Sequence, residues 1–357
     1  KKNENNPEVI FVKDYDGTNI LNNFTETVIP RSMRVSGGSH VGPSLNLVEQ
    51  FETADGQVRP LKTVAGETEP EPTDPIEELK STDRYVVYDS PSDLFADRDP
   101  RLEGTILVPG SSFRNQELQL WAGLAIKHSE TSWEFKHIAE MEDLTSADES
   151  KYLYDGRQIT GADGPHISFR SPNPEQVTGT GFLLRKYVDS KAGSEMMGQS
   201  DLAFCRFRYA EVLLNAAEAA WELGEKAKAA DYLNEVRRRA GIREIEPDEI
   251  TGYETFLRER TAEFAFEGLR FYDLKRFRIA DKLFDGQADT ETALIYGLWP
   301  YKVYAPGDPD DGKWIFRRIH NTKRKFPLWF QTKNYYASID QSVLNNNPLL
   351  VKNPYQE

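Results

Sequence analysis

The strongest constraint in this chain is a pair of amphipathic helical stripes between residues 201 and 241. Phe207, Ala210, Leu214, Ala217 and Trp221 recur at spacings of 3, 4, 3 and 4, which traces one face of a helix. Glu211, Asn215, Glu218 and Glu222 line another face. Leu223-Gly224 stops that helix, and 226–240 predicts a second, with Ala229, Leu233 and Val236 inside and Gly241 at its C′ position. Alanines on both inner faces let the two axes approach closely. Such hairpins cannot shield their own outer faces, so they need neighbours.

Gly224 followed by Ala229 and Leu233, with Ala217 and Ala220 at the small positions of the first helix, fits the second half of a tetratricopeptide unit. A further helical pair is predicted over 254–268 and 269–284. The rest is irregular. Glu8 to Val12 is a short strand closed by Asp16-Gly17, 37–43 is a glycine-rich loop, and Pro43-Ser44 opens a short helix through Leu45, Leu47, Val48 and Phe51. Residues 66–78 carry six acids and three prolines and read as a solvated loop. From 81 to 190, short apolar runs (85–88, 105–108, 181–184) alternate with breakers such as Pro91, Pro109-Gly110 and Ser171-Pro172-Asn173-Pro174. The expectation is a mostly α fold of tetratricopeptide-like hairpins with loop-rich, short-strand insertions. Its segments are a loop-rich region with the ligand face (1–200), a helical core (201–284) and an aromatic-rich tail (285–357).

Composition narrows the function. The chain has 357 residues, a formal net charge of −14 and a pI near 5.0, which argues against nucleic acid or anionic lipid as partner. A single cysteine, Cys205, excludes an internal disulfide framework and a multi-cysteine zinc site. It is expected to be an inert thiol on a helical face. No run of 18 apolar residues is present. The start, from Lys1 to Pro7, has neither an initiator Met nor an apolar targeting segment.

Charged motifs are weak. Glu259, Glu263 and Glu267 repeat every four positions and repel one another unless cations answer them. Arg206, Arg208, Arg260, Arg270 and Arg237-Arg238-Arg239 are the available cations. The pattern is read as an Arg–Glu network bracing helices, in preference to a glycosidase carboxylate pair. Glu134-x-x-His137 has di-iron spacing but occurs once. Asp308-x-Asp310-Asp311-Gly312 lacks the glycine and glutamate of a calcium loop. Phosphate, dinucleotide, serine-elbow and zincin motifs are missing, so neither a cofactor nor a metal is expected. The basic run 317–325 is read as a solvated face or partner contact.

Six Trp and 16 Tyr in a polar chain are the positive signal. Sugars lay their C–H faces on flat rings while their hydroxyls need polar neighbours, so rings on loops suit carbohydrate capture. Trp121 near Arg114, Asn115 and Gln116 is one such grouping, and Trp133 with Phe135 is another.

Longer stretches carry a family resemblance. Residues 207–219 (FRYAEVLLNAAEA), 233–241 (LNEVRRRAG) and the 259–277 run from Glu259-Arg260 to Asp273-Leu274-Lys275-Arg276-Phe277 resemble the signature of the SusD/RagB family. Glu8–Phe11, Pro43–Val48, Asp99-Pro100-Arg101-Leu102, Arg185-Lys186-Tyr187, Asn334-Tyr335-Tyr336 and the Asn347-Pro348 to Asn353-Pro354 ending follow in the same order. Phe277 and Lys352 replace the more common Trp and Gln. The resemblance is to the family's C-terminal portion. It implies a SusD-like α-superhelical scaffold whose first helices, lipoprotein signal and lipidated cysteine would precede residue 1. It also implies a surface-exposed outer-membrane lipoprotein that binds oligosaccharide without catalysis and partners a SusC-like TonB-dependent transporter. A glycoside hydrolase and a protein- or peptide-binding scaffold are the rival readings. Ligand contacts are expected between the Asp99 and Arg185 landmarks, at Arg114, Asn115, Trp121, Trp133, Phe135 and Tyr152, followed by Tyr301 and Trp314 in the tail.

Overall fold

The computed structural model describes residues 6–16, 18–75, 77–166, 178–321 and 326–356. Tyr209–Glu222 and Lys226–Ala240 form the expected hairpin. Its interior is Ala210, Leu213, Leu214, Ala217 and Ala220 against Ala229, Ala230, Leu233 and Val236, all buried. Gly241 ends the second helix at φ 75°, a left-handed conformation that costs glycine no Cβ clash. The amides of Gly241 and Ile242 turn back onto the carbonyls of Arg238 and Arg237.

Two details of the helical reading change. Phe207 and Cys205 belong to a strand, Phe204–Arg208, which pairs antiparallel with Val9–Lys13, and the first helix starts only at Tyr209. Cys205 is therefore a half-buried strand thiol rather than a residue of a helical face, and burial raises its pKa. The second helical pair is broken into Tyr253–Glu263, Arg270–Arg276 and Ala280–Leu283. Phe266 and Arg278 take positive φ, 63° and 56°, in the two breaks.

A five-stranded mixed sheet is the largest element the sequence left undrawn. Its order is Trp314–His320, Tyr296–Tyr304, Gly123–Ser129, Ser132–Lys136 and Lys80–Ser81. Tyr296–Tyr304 pairs antiparallel with Trp314–His320 and parallel with Gly123–Ser129. Side chains alternate between faces along a strand. Trp299, Tyr301 and Val303 point into one core with Trp133, Phe135, Ile315 and Ile319. Tyr296 and Leu298 point the other way, into a second core with Phe316, Phe182 and Leu45. The cores thus draw on residues from widely separated parts of the chain.

An ion network ties the helices to the Phe204–Arg208 strand and to the segments around Asp99 and Arg185. Glu263 accepts from Arg208, from Arg239 at 2.5 Å and from Arg101 at 3.0 Å. Glu259 accepts from Arg101 at 2.6 Å and Arg237 at 2.7 Å, and Glu267 from Lys186 at 2.6 Å and Arg208 at 2.9 Å. Of the expected cations, Arg260 instead pairs with Asp273 at 2.9 Å, Arg206 lies over Phe204, and Arg270 donates to Thr261. Arg101 and Lys186 come from the Asp99 and Arg185 landmarks, so those motifs meet the helical motifs at this network. Burial pushes the Glu263 carboxyl up, but Arg208, Arg101 and Arg239 outweigh it and hold it at about 2. Planar guanidinium forks shared between carboxylates set the register of helix against strand more than they add net stability.

Candidate ligand-binding site

The site begins at strand parity. On Tyr296–Tyr304, Lys302 points away from the Tyr301 core, and its cross-strand partner is Trp314. The amides and carbonyls of Trp314 and Tyr88 bond reciprocally at 2.9 and 2.8 Å, which fixes the Trp314 backbone. The Ala122 amide donates to the Pro300 carbonyl at 2.8 Å and brings Trp121 alongside Lys302. Behind Trp121, the Gly161 amide donates to the Trp121 carbonyl at 2.9 Å and the Asp163 amide to the Gln119 carbonyl at 3.1 Å. Gly161 is required there by space: a Cβ would lie 2.1 Å from the Gln119 carbonyl oxygen and 2.8 Å from Trp121 Cε3.

These constraints produce a cavity of about 230 Å³ whose walls include Trp121, Trp314, Lys302, Glu117 and Gln119, with Pro109-Gly110 at one side. The two indoles meet edge to face, with centroids 6.2 Å apart and planes at 74°. Lys302 Nζ stands 3.6 Å from the Trp121 ring centre and 5.2 Å from that of Trp314. Trp121 is 7% exposed and forms the wall, while Trp314 and Lys302 are half-buried and form the rim. Glu117 and Gln119 are exposed. Burial lowers the Lys302 pKa, and Glu117 opposes that shift. Flat apolar rings edged by an ammonium, a carboxylate and an amide suit a saccharide ring with its hydroxyls.

Of the residues singled out in the sequence, Trp121 and Trp314 come together here. Three are corrected by burial: Trp133, Phe135 and Tyr301 are 2%, 2% and 0% exposed. Phe135 and Tyr301 pack around Arg317, whose guanidinium lies 4.0 Å from the Phe135 ring centre and donates to Thr73 Oγ1 at 3.0 Å. Trp133, buried in the same core, only edges a separate groove beside Thr73, Lys80 and His128. Tyr152 is half-buried against Leu124, Ile138 and Ile159, in a separate cluster. Arg114 and Asn115 are the two central residues of the hairpin joining Ser112–Phe113 to Gln116–Glu117, at φ 50° and 61°. Arg114 spends its donors on Glu195 at 2.7 Å, the Lys191 carbonyl at 2.7 Å and Ser194 at 2.8 Å. Its role is to brace the turn that presents Glu117. Lys302, Glu117 and Gln119 were missed. The signal for Lys302 was a lone cation within the aromatic run from Tyr296 to Tyr304.

The other motifs resolve as structure. Glu259 and Glu263 are buried and occupied by guanidinium groups, so they leave no open cleft for a sugar. Glu134 is a half-buried strand residue near His128, whereas His137, also half-buried, places its Nε2 2.9 Å from the Tyr301 hydroxyl. Lys127 engages Asp310 at 2.7 Å, and Arg157 engages Asp311 at 2.7 Å, which satisfies the acidic turn. Arg317 and Arg318 are interior rather than on a solvated face, Arg318 pairing with Glu49; the rest of that basic run, 322–325, lies outside the described residues, as does the 171–174 turn. Among the described residues no cluster of three or more His, Cys, Asp or Glu is arranged to hold a metal, and no helix is long and apolar enough to cross a membrane. A larger groove of about 800 Å³ on the helical side is lined mainly by apolar groups, including Leu47, Leu257, Phe264 and Leu294. Its lining also includes the Tyr253 and Phe284 rings and the polar groups of Asn46, Gln50, Glu254 and Arg258, but no indole.

The chain belongs to the SusD family, whose model matches residues 7–355. It resembles SusD-like protein P2 of Formosa agariphila, with 36% identity over 98 residues, 24% of this chain and 19% of that one. Among solved structures, a SusD-like protein of Bacteroides fragilis superposes with a TM-score of 0.58 at 20% identity, covering 100% of this chain and 56% of that protein. A second Bacteroides fragilis structure, described as a SusD-like carbohydrate binding protein, gives a TM-score of 0.55 at 23% identity over 96% of this chain and 54% of its own. This chain therefore spans about half the length of those structures.

Proposed function

We propose that this chain captures oligosaccharide without altering it, in the cavity between Trp121 and Trp314. The paired indoles beside Lys302, Glu117 and Gln119 are the observation that carries the reading, because stacking surface and hydroxyl partners converge at one place. A relative of the same fold bears a carbohydrate-binding description, which agrees with it. Trp314, on the rim, is the stacking surface. Trp121 holds Trp314 and Lys302 in place from behind.

Delivery to a SusC-like TonB-dependent transporter, and a place on the outer-membrane surface through an N-terminal lipid anchor, are proposed from family membership. Titration calorimetry against a panel of neutral and charged oligosaccharides tests the capture step. Binding that disappears in Trp314→Ala and Trp121→Ala supports it, and binding indifferent to both variants removes the cavity from the account. Incubation with the same panel, followed by product analysis, tests the absence of turnover. Any released reducing end would restore the hydrolase reading.

A further inference from the structure

The cavity contains an ammonium, that of Lys302, with no carboxylate among the described residues at ion-pair distance. Of the half-buried lysines elsewhere, Lys127 reaches Asp310 at 2.7 Å and Lys186 reaches Glu267 at 2.6 Å, whereas Lys136 and Lys275 lie over the rings of Tyr154 and Phe271. Lys302 differs from these last two in standing on the wall of a cavity. Among the described residues, no carboxylate stands within ion-pair distance of Lys302 and no acceptor takes a hydrogen bond from it. Its neighbours are the two indole rings. An ammonium carries three donors and no acceptor, and a partly desolvated cation without an anion is costly. The ring quadrupoles compensate only in part. Trp121 Nε1 is itself buried without a protein partner. The Lys302 ammonium is therefore the N–H donor held out to a ligand on this wall.

We propose that this cavity takes the acidic unit of an anionic oligosaccharide, whose carboxylate or sulfate accepts from the Lys302 ammonium while the sugar face lies against Trp314. The inference rests on the saccharide reading of the cavity and adds its chemical class. Glu117, the other charged group on the wall, leaves room for one anionic group per unit, since a second would face its carboxylate, and it accepts from a neutral hydroxyl instead. The protein as a whole carries a net charge of −14 and gives no general attraction for polyanions, so any preference for acidic sugar must be local to Lys302.

The test uses the whole chain and two matched pairs of oligosaccharides in titration calorimetry. One pair is an oligouronate and its carboxyl-reduced counterpart; the other is a sulfated oligosaccharide and its desulfated counterpart. At least one acidic member should bind about tenfold or more tightly than its neutral partner, the difference expected for a hydrogen bond to a charged group. Whichever pair shows the preference identifies the anion. Lys302→Gln should erase the preference and Lys302→Arg should keep it, with thermal unfolding confirming that both variants fold. Equal binding of acidic and neutral members, a preference that survives Lys302→Gln, or no binding by either acidic member overturns the inference. Neutral sugars that bind through Trp314 with no acidic preference would sink the inference alone. Failure of every sugar would sink the capture reading with it.

Discussion

Glu263→Gln should be among the most damaging single changes in the chain, and its cost can be worked from the structure. The carboxylate is 4% exposed and serves Arg208, Arg239 and Arg101 together. The amide keeps the volume but leaves those cations without their shared anion, and breaking a buried pair in this way costs about 3–5 kcal/mol. Linkage gives a second route to the figure: the carboxyl is held at about 2 against an ordinary 4.5, equivalent to ~3 kcal/mol. For a chain of this size the unfolding entropy is ~0.7 kcal/mol per kelvin, so the melting midpoint should fall by about 4–7 °C at pH 7. Asp55→Asn, which removes an ion pair exposed on both sides, is the control and should leave the melting midpoint close to that of the parent. The pH signature follows from the lowered pKa. Stability from Glu263 is fully present above 4.5 and is lost as pH falls toward 2, so the gap between parent and variant should narrow through that window. A variant within about 0.5 kcal/mol of the parent, or a gap that does not change with pH, would refute the argument that this network braces the fold.

Further outcomes follow from the same geometry. Trp314→Ala should weaken oligosaccharide binding by about 1–3 kcal/mol in calorimetry, as loss of a central aromatic anchor does. Gly161→Ala should destabilise by about 1–3 kcal/mol in denaturant titration and weaken binding as well, because its methyl group displaces Gln119 and Trp121. Burial, with help from Arg317 and His166, holds His137 at about 3 against an ordinary 6.5. Its contribution is present above 6.5 and drains away as pH falls toward 3, so His137→Phe should flatten the acid side of the stability profile between those values.

What the sequence disclosed divides along the range of the interactions. The 209–240 hairpin was legible because its stripe, its alanines and its stop at Gly241 are all local. Local spacing puts Phe207 and Cys205 on the helix because the strand that claims them, Val9–Lys13, lies nearly 200 residues upstream. The Glu259 repeat was correctly read as a network, yet two of its cations, Arg101 and Lys186, come from segments far from the helix. The rings were harder to read. Trp133, Phe135 and Tyr301 look like surface aromatics in a loop-rich region until strand pairing places all three on the Arg317 side of one sheet. The same parity puts Lys302 and Trp314 on the opposite face, at the edge of the Phe316 core, and no periodicity within either strand reveals that they face each other.

The most direct test of the central claim is a crystal structure of the chain with a bound oligosaccharide identified by calorimetry. The account predicts density for a sugar ring against Trp314, within hydrogen-bond reach of Lys302 and Glu117. A ligand seated elsewhere, for example on the exposed Trp329 or in the apolar groove beside Leu257, would contradict it.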